Sequence, residues 1–429
     1  MRYLCCCLLF ASYAFCCVAQ PNTSAFLKNE LAHAASPLLK EVLAHPEAYH
    51  YQVIYTKIDR DQYNNPSFTH YFYNVDASQY FNPASTVKMP LAFLALEKAN
   101  QLKQYGVSKY SPMQFDSGYI GQQKMLYDST AESGLPSLAH FIKKVFLISD
   151  NEAYNRLYEF VGQQAINRGL HARGYTDSRI TRRFIRMTPE QNRHTNPIHF
   201  MDAAGKVIYQ QPPQYNSDVF DFSAVHKLGM AHYNAQDSLV QEPFDFTTHN
   251  NLPLQDLQQL LQSVLFPASV PASKRFNLQD EDYDFLYRYL SQYPSETSYP
   301  KYDTAQYFDS YVKFMFKDGG HTIPANIRVF NKVGWSYGCM TDVSYVADFD
   351  NKVEFMLAAT IYVNKDEVIN DDKYEYNQVA LPFFYALGQH LYQYELKRKR
   401  AVKPDLSRFK LIYKPRQPDS RPSITDAAN

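Results

Sequence analysis

Phe81-Asn82-Pro83-Ala84-Ser85-Thr86-Val87-Lys88-Met89-Pro90-Leu91-Ala92 is the stretch that decides how this chain folds. Upstream of it, Tyr51 to Ile58 and Phe68 to Val75 are dense in β-branched and aromatic residues and flank a turn at Asn64, Asn65 and Pro66, which predicts a hairpin. Downstream, Lys88 to Leu102 changes period and puts Leu91, Leu94, Ala95 and Ala99 on one face, which predicts a buried helix with Pro90 tolerated in its early turns. Ser85 and Lys88 therefore stand where strand and turn give way to helix. Their three-residue separation puts both side chains on one helical face.

A serine hydroxyl attacks a carbonyl only when a base takes its proton, and a lysine can serve once burial or nearby cations lower its pKa. Such a pair recurs by chance, and read alone it is better explained as a capping serine beside a solvated lysine. A second polar element, Ser149-Asp150-Asn151, falls at a break between two predicted helices in the interval Ser137 to Gly162. Read alone it is an ordinary helix cap. A third, Lys332-Val333-Gly334, closes a predicted strand, where a cation can meet a substrate carboxylate and glycine permits close backbone approach.

These three elements, in this order and on these predicted structures, resemble the motif set of class A β-lactamases and the related penicillin-binding proteins. The likeness extends to Phe81 to Ala84 before the serine, Met89 to Ala92 after it, Gly174 and Arg182 beyond the second element, and Tyr337-Gly338 with Thr341-Asp342 after the third. It spans about Gln52 to Leu391 and is interrupted by extra sequence. The resemblance implies that Ser85 forms an acyl-enzyme, Lys88 is the general base, Ser149 shuttles protons, and Asn151 and Lys332 bind substrate. It also implies an oxyanion hole from the backbone N–H groups of Ser85 and Trp335, next to Gly334. Two departures stand out. Val333 replaces the usual hydroxyl residue and cannot donate a hydrogen bond. In Thr188-Pro189-Glu190-Gln191-Asn192 the family's Glu, Leu, Asn spacing is absent; Glu190 is the candidate deacylating base, against an exposed loop carboxylate paired with Arg193 or Arg186.

The implied fold is α/β: a mainly antiparallel sheet flanked by helices, beside a mostly helical subdomain carrying Ser149. The sheet is expected from the N-terminal hairpin and from strands at Asn326 to Val333, Thr341 to Asp348 and Val353 to Val363. Helices are expected at Ala25 to Ala44, Leu254 to Leu265, Asp280 to Leu290 and Gln378 to Lys397. The domain spans 25–400, with insertions at about 190–250 that read as an elaborated loop region with a short hairpin around Gly205, and residues 404–429 form a surface tail. Residues 1–19, with Arg2 before an apolar run ending at Ala19, read as a secretory signal, so an exported, periplasmic or secreted protein is expected.

Lysine plus arginine and aspartate plus glutamate both total 43, so no net charge draws the chain to nucleic acid. A 45% hydrophobic composition allows a large core. Five of the six cysteines lie in the leader, leaving Cys339 as a packed thiol or, less simply, a nucleophile. The pairs His194/His199 and His226/His232 give no zinc face, and no Gly-rich phosphate loop occurs. A monomer with a small-molecule substrate and neither metal nor cofactor is expected. The substrate is a β-lactam or related amide, with a D-alanyl peptidase or esterase acting on cell-wall fragments, or a non-turnover binding protein, as alternatives.

Overall fold

The computed structural model of the protein describes residues 22–425. The leader expected at residues 1–19 lies outside them. Five antiparallel strands form the main sheet: β1 (Gln52–Arg60), β2 (Pro66–Tyr73), β3 (Ile327–Ser336), β4 (Cys339–Asp348) and β5 (Val353–Tyr362), in the order β3-β4-β5-β1-β2. The N-terminal hairpin thus joins the C-terminal meander through the β1–β5 pairing, with Gln52 opposite Thr360.

Alternation along the strands gives each face of the sheet its own core. From β1, Ile54 and Ile58 join the core beneath the helical subdomain, whereas Val53 and Tyr55 face the helices at the chain ends. All ten residues of β4 and of β5 are buried, so both faces of these central strands are covered. One cover is the helix Leu381–Lys397 together with the N-terminal helices. The other includes the helices Lys88–Gln101, Leu254–Leu265 and Asp280–Ser291. The Lys88–Gln101 helix is apolar nearly all round because it runs through the middle of the larger core.

Two expectations are revised. The helix read from Ala25 to Ala44 is two helices, Ala25–Ala32 and Pro37–Ala44. Ser36 is extended, as a residue before proline prefers, and its hydroxyl caps the second helix by accepting from Leu39 N–H at 3.2 Å. The insertion carries more order than a loop region. Ile198–Met201 pairs with Val207–Gln211 and with Met113–Phe115, and Ala231–Tyr233 pairs with Leu239–Val240 and with Val368–Ile369 near the end of the chain. Period fails as a signal here because the strands are two to five residues long.

The C-terminal stretch runs over the surface as a pinned strap. Leu406 and Phe409 are buried, with the Phe409 ring 4.9 Å from that of Tyr345 and 5.4 Å from that of Phe330. Arg416 donates to the carbonyls of Pro294, Thr297 and Tyr302, and Ile424 forms a β-bridge with Tyr302. Among the described residues, no helix is long and apolar enough to cross a membrane.

Candidate active site

Ser85 sits in a short 3-10 turn, Ala84–Val87, that leads directly into the Lys88–Gln101 helix. The turn is held on its N-terminal side by Asn82, whose side-chain carbonyl accepts from Ala84 N–H at 2.8 Å, and by Thr86, whose hydroxyl donates to Pro83 O at 2.6 Å. Ala84 has φ +44°, a left-handed conformation that costs a non-glycine residue energy and that packing must enforce. Strand β3 supplies that packing. A Cβ on Gly334 would lie 2.6 Å from Pro83 O, 2.8 Å from Ser85 N and 2.9 Å from Thr86 N, all backbone atoms. Only a residue without a side chain lets the strand rest on the serine turn. Gly334→Ala is expected to lower stability by about 1–3 kcal/mol through overpacking and to slow Ser85 labelling more than other variants of equal melting temperature; equal slowing would sink this account.

Ser149 has φ +67° in the joint between the helices Leu138–Leu147 and Asn151–Val161. Asp150 fixes that joint, accepting from Ala153 N–H at 2.7 Å as the cap of the second helix and pairing with Lys144 at 3.3 Å. This geometry turns the Ser149 side chain and carbonyl toward two lysines. Lys88 Nζ donates to Ser149 O and to Asn151 Oδ1 at 2.7 Å, with Ser149 Oγ at 3.4 Å. Lys332 Nζ donates to Ser149 Oγ at 2.8 Å and to Val333 O at 2.6 Å. No hydrogen bond joins Ser85 to Lys88 in this arrangement, in which the amine is engaged by Ser149 and Asn151.

Both amines are buried and neither touches a carboxylate. Burial lowers the Lys88 pKa to about 7, against a smaller opposing pull from Asp150. Lys332 is pushed well below the usual lysine range, first by burial and then by the charge on Lys88. A neutral amine beside a serine turn can accept a proton, and a second amine can hold Ser149 in place to pass one on. Beneath β3 another buried network steadies the strand. Lys313 Nζ donates to Asn331 Oδ1 at 2.6 Å, and Asn331 Nδ2 donates to Asp342 Oδ1 at 2.8 Å.

Ser85, Ser149, Asn151 and Trp335 line one open cleft of about 920 Å³, with the Lys88 and Lys332 amines hydrogen-bonded to its Ser149 wall. Strand β3 is an edge strand, so alternate backbone groups beside Trp335 point off the sheet and are available to an extended ligand. Glu190 is the exception among the candidate residues. It is not among the residues lining the cleft; its side chain is 54% exposed and meets His194 Nε2 at 3.2 Å, rather than Arg193 or Arg186. The cause is local: Thr188 and Gln191 form a reciprocal cap on the short helix Pro189–Arg193, which turns Asn192 inward and leaves Glu190 facing solvent. The carboxylates that do line the cleft are Asp150, Glu152 and Glu159.

Residues 39–211 match the family model described as the beta-lactamase enzyme family. Over those residues the chain is similar to that family. The matched part holds the first two motif elements and stops before Lys332. No curated protein matches the sequence. Similar solved structures include a beta-lactamase from Sphaerobacter thermophilus (13% identity, TM-score 0.44, covering 83% of this chain and 96% of that one) and one from Burkholderia ambifaria (13% identity, TM-score 0.45, covering 85% and 100%).

Several features of the site carry no signal in the sequence. Arg182 and His249 line the cleft together, yet stand far apart in the chain. Tyr307 and Tyr311 come from a loop whose irregular spacing gives no hint of a cleft wall. Cys339 is buried and accepts from Asn82 N–H at 3.4 Å, and burial pushes its thiol up to about 12, so it is packing rather than a nucleophile. Among the described residues, no group of three or more His, Cys, Asp or Glu is arranged to hold a metal.

Proposed function

We propose that the protein is an exported serine hydrolase that opens the amide of a β-lactam or a related compound through an acyl-enzyme on Ser85. The observation that carries this reading is the buried, carboxylate-free Lys88 amine, set one helical turn after a serine that lines an open cleft. In the first step Ser85 Oγ bonds to the carbonyl carbon, and its proton passes to Lys88 Nζ. As the C–N bond breaks, the departing nitrogen takes a proton through Ser149, whose hydroxyl lies between the two amines. Backbone N–H groups of Ser85 and Trp335 would stabilise the oxyanion, with Asn151 and Lys332 orienting the substrate.

Deacylation needs a base to activate water, and here the cleft favours slow turnover. Glu159 is held by Arg156 at 2.9 Å and Arg183 at 3.3 Å, Glu152 by Arg156 at 3.1 Å, and Asp150 by its cap and by Lys144. Each is already engaged, and Glu190 faces solvent. The reading therefore leans toward the behaviour of a penicillin-binding protein, and a peptidase acting on cell-wall fragments stands as the second reading. With a chromogenic β-lactam, a burst of about one equivalent of product per protein followed by a far slower steady state is expected. Absence of any burst with a slow linear rate would refute accumulation of an acyl-enzyme.

A further inference from the structure

Four cationic side chains line the cleft, and they fall into two groups. Lys144 pairs with Asp128 and Asp150, and Arg156 with Glu152 and Glu159. Arg182 and Arg186 make no ion pair with any described residue. Arg186 is exposed at the rim, whereas Arg182 is half-buried and firmly held. Its backbone N–H donates to Asn250 Oδ1 at 3.2 Å, and its carbonyl accepts from the Tyr154 hydroxyl at 2.8 Å.

The guanidinium has one fixed partner. Arg182 Nη1 lies 2.9 Å from His249 Nε2 and 3.1 Å from His249 Nδ1. The ring is braced by Phe246 at 5.1 Å and Phe244 at 5.7 Å, and Phe246 in turn packs against Tyr337 at 5.2 Å on the cleft wall. Burial, and then the charge on Arg182, hold the His249 pKa down at about 3, so the imidazole stays neutral. A neutral ring accepts an N–H without cancelling the positive charge. The result is an oriented guanidinium, unneutralised, with donors left over in an open cleft.

The Lys332 side of the cleft is poorly equipped for an anion. Lys332 is directed into Ser149 Oγ and Val333 O, and Val333 offers no hydroxyl. We propose that Arg182, oriented by His249 and assisted by Arg186, is the seat for a carboxylate on the acyl side chain of the substrate, which makes this a hydrolase selective for amides with an acidic acyl group. This rests on the acyl-enzyme reading above. A bidentate guanidinium–carboxylate contact is among the stronger charge-assisted hydrogen bonds, so the selectivity should be large.

The test uses two penicillin-type probes that differ only in a side-chain carboxylate and its neutral amide. Acylation rates of Ser85 are followed by intact mass, and the readout is the ratio of the acidic to the neutral probe. A ratio well above one is expected for the native protein, falling about tenfold or more in Arg182→Gln and only partly in Arg182→Lys. His249→Asp leaves Arg182 in place but neutralises it, so it should lower the ratio as much, even where Arg182→Gln folds poorly. Arg168→Gln, a change at an exposed pair with Asp218, should leave the ratio unchanged. A ratio unmoved in both Arg182→Gln and His249→Asp overturns the seat. Acylation by neither probe refutes the acyl-enzyme reading instead. Equilibrium binding of the two probes then decides the seat: a carboxylate preference lost in Arg182→Gln keeps it, and no preference overturns it.

Discussion

Replacing Ser85 with alanine is expected to abolish covalent capture of a penicillin or fluorophosphonate probe. Ser85 lines the cleft, and the thiol that could compete as a nucleophile, Cys339, is buried and strongly disfavoured as a thiolate. The substitution removes one oxygen from a turn whose fixed contacts come from Asn82, Thr86 and Gly334, so the fold should be unaffected. Intact-mass analysis of matched, folded samples checks this. A mass shift that persists in Ser85→Ala would remove the nucleophile from the mechanism.

The second large effect is expected at Lys88. Lys88→Met keeps the length and apolar stem of a side chain that runs through the core, and it removes the proton acceptor; acylation should fall by about 10²- to 10⁴-fold, the usual worth of a positioned general base. The native rate should also rise with pH through about 7. The sign follows from the direction of the shift: burial favours the neutral amine, and only the neutral amine can take the Ser85 proton, so acid suppresses the reaction. Rates measured between about pH 5 and pH 9 should show this rise in the native protein and lose it in Lys88→Met. A flat native profile, or a variant that keeps most of the rate, would assign the proton elsewhere.

The sheet and the convergence of the three motif elements were legible because each element marks a change of period. Ser85 and Lys88 open a helix, Ser149 breaks a pair of helices, and Gly334 sits near the end of a strand, so local pattern located them and chain order suggested their meeting. What remained hidden depends on direction and on distance. The carboxylate of Glu190 was readable as chemistry, but the cap between Thr188 and Gln191 that turns it outward involves no periodic residue. The pairing of Arg182 with His249 joins a loop to an insertion of very short strands, where neither propensity nor spacing predicts a contact. The left-handed conformations of Ala84 and Ser149 run against residue preference, and only tertiary packing imposes them.

The sheet order has a bearing on when the molecule becomes chemically competent. Because β1 pairs with β5, and because the lysine at 332 belongs to a strand made long after Ser85, a growing polypeptide holds its serine well before the strand that packs on it exists. Contacts of such long sequence separation close late and slowly. Nascent or prematurely terminated copies therefore lack the assembled cleft, which is completed only when the last meander docks.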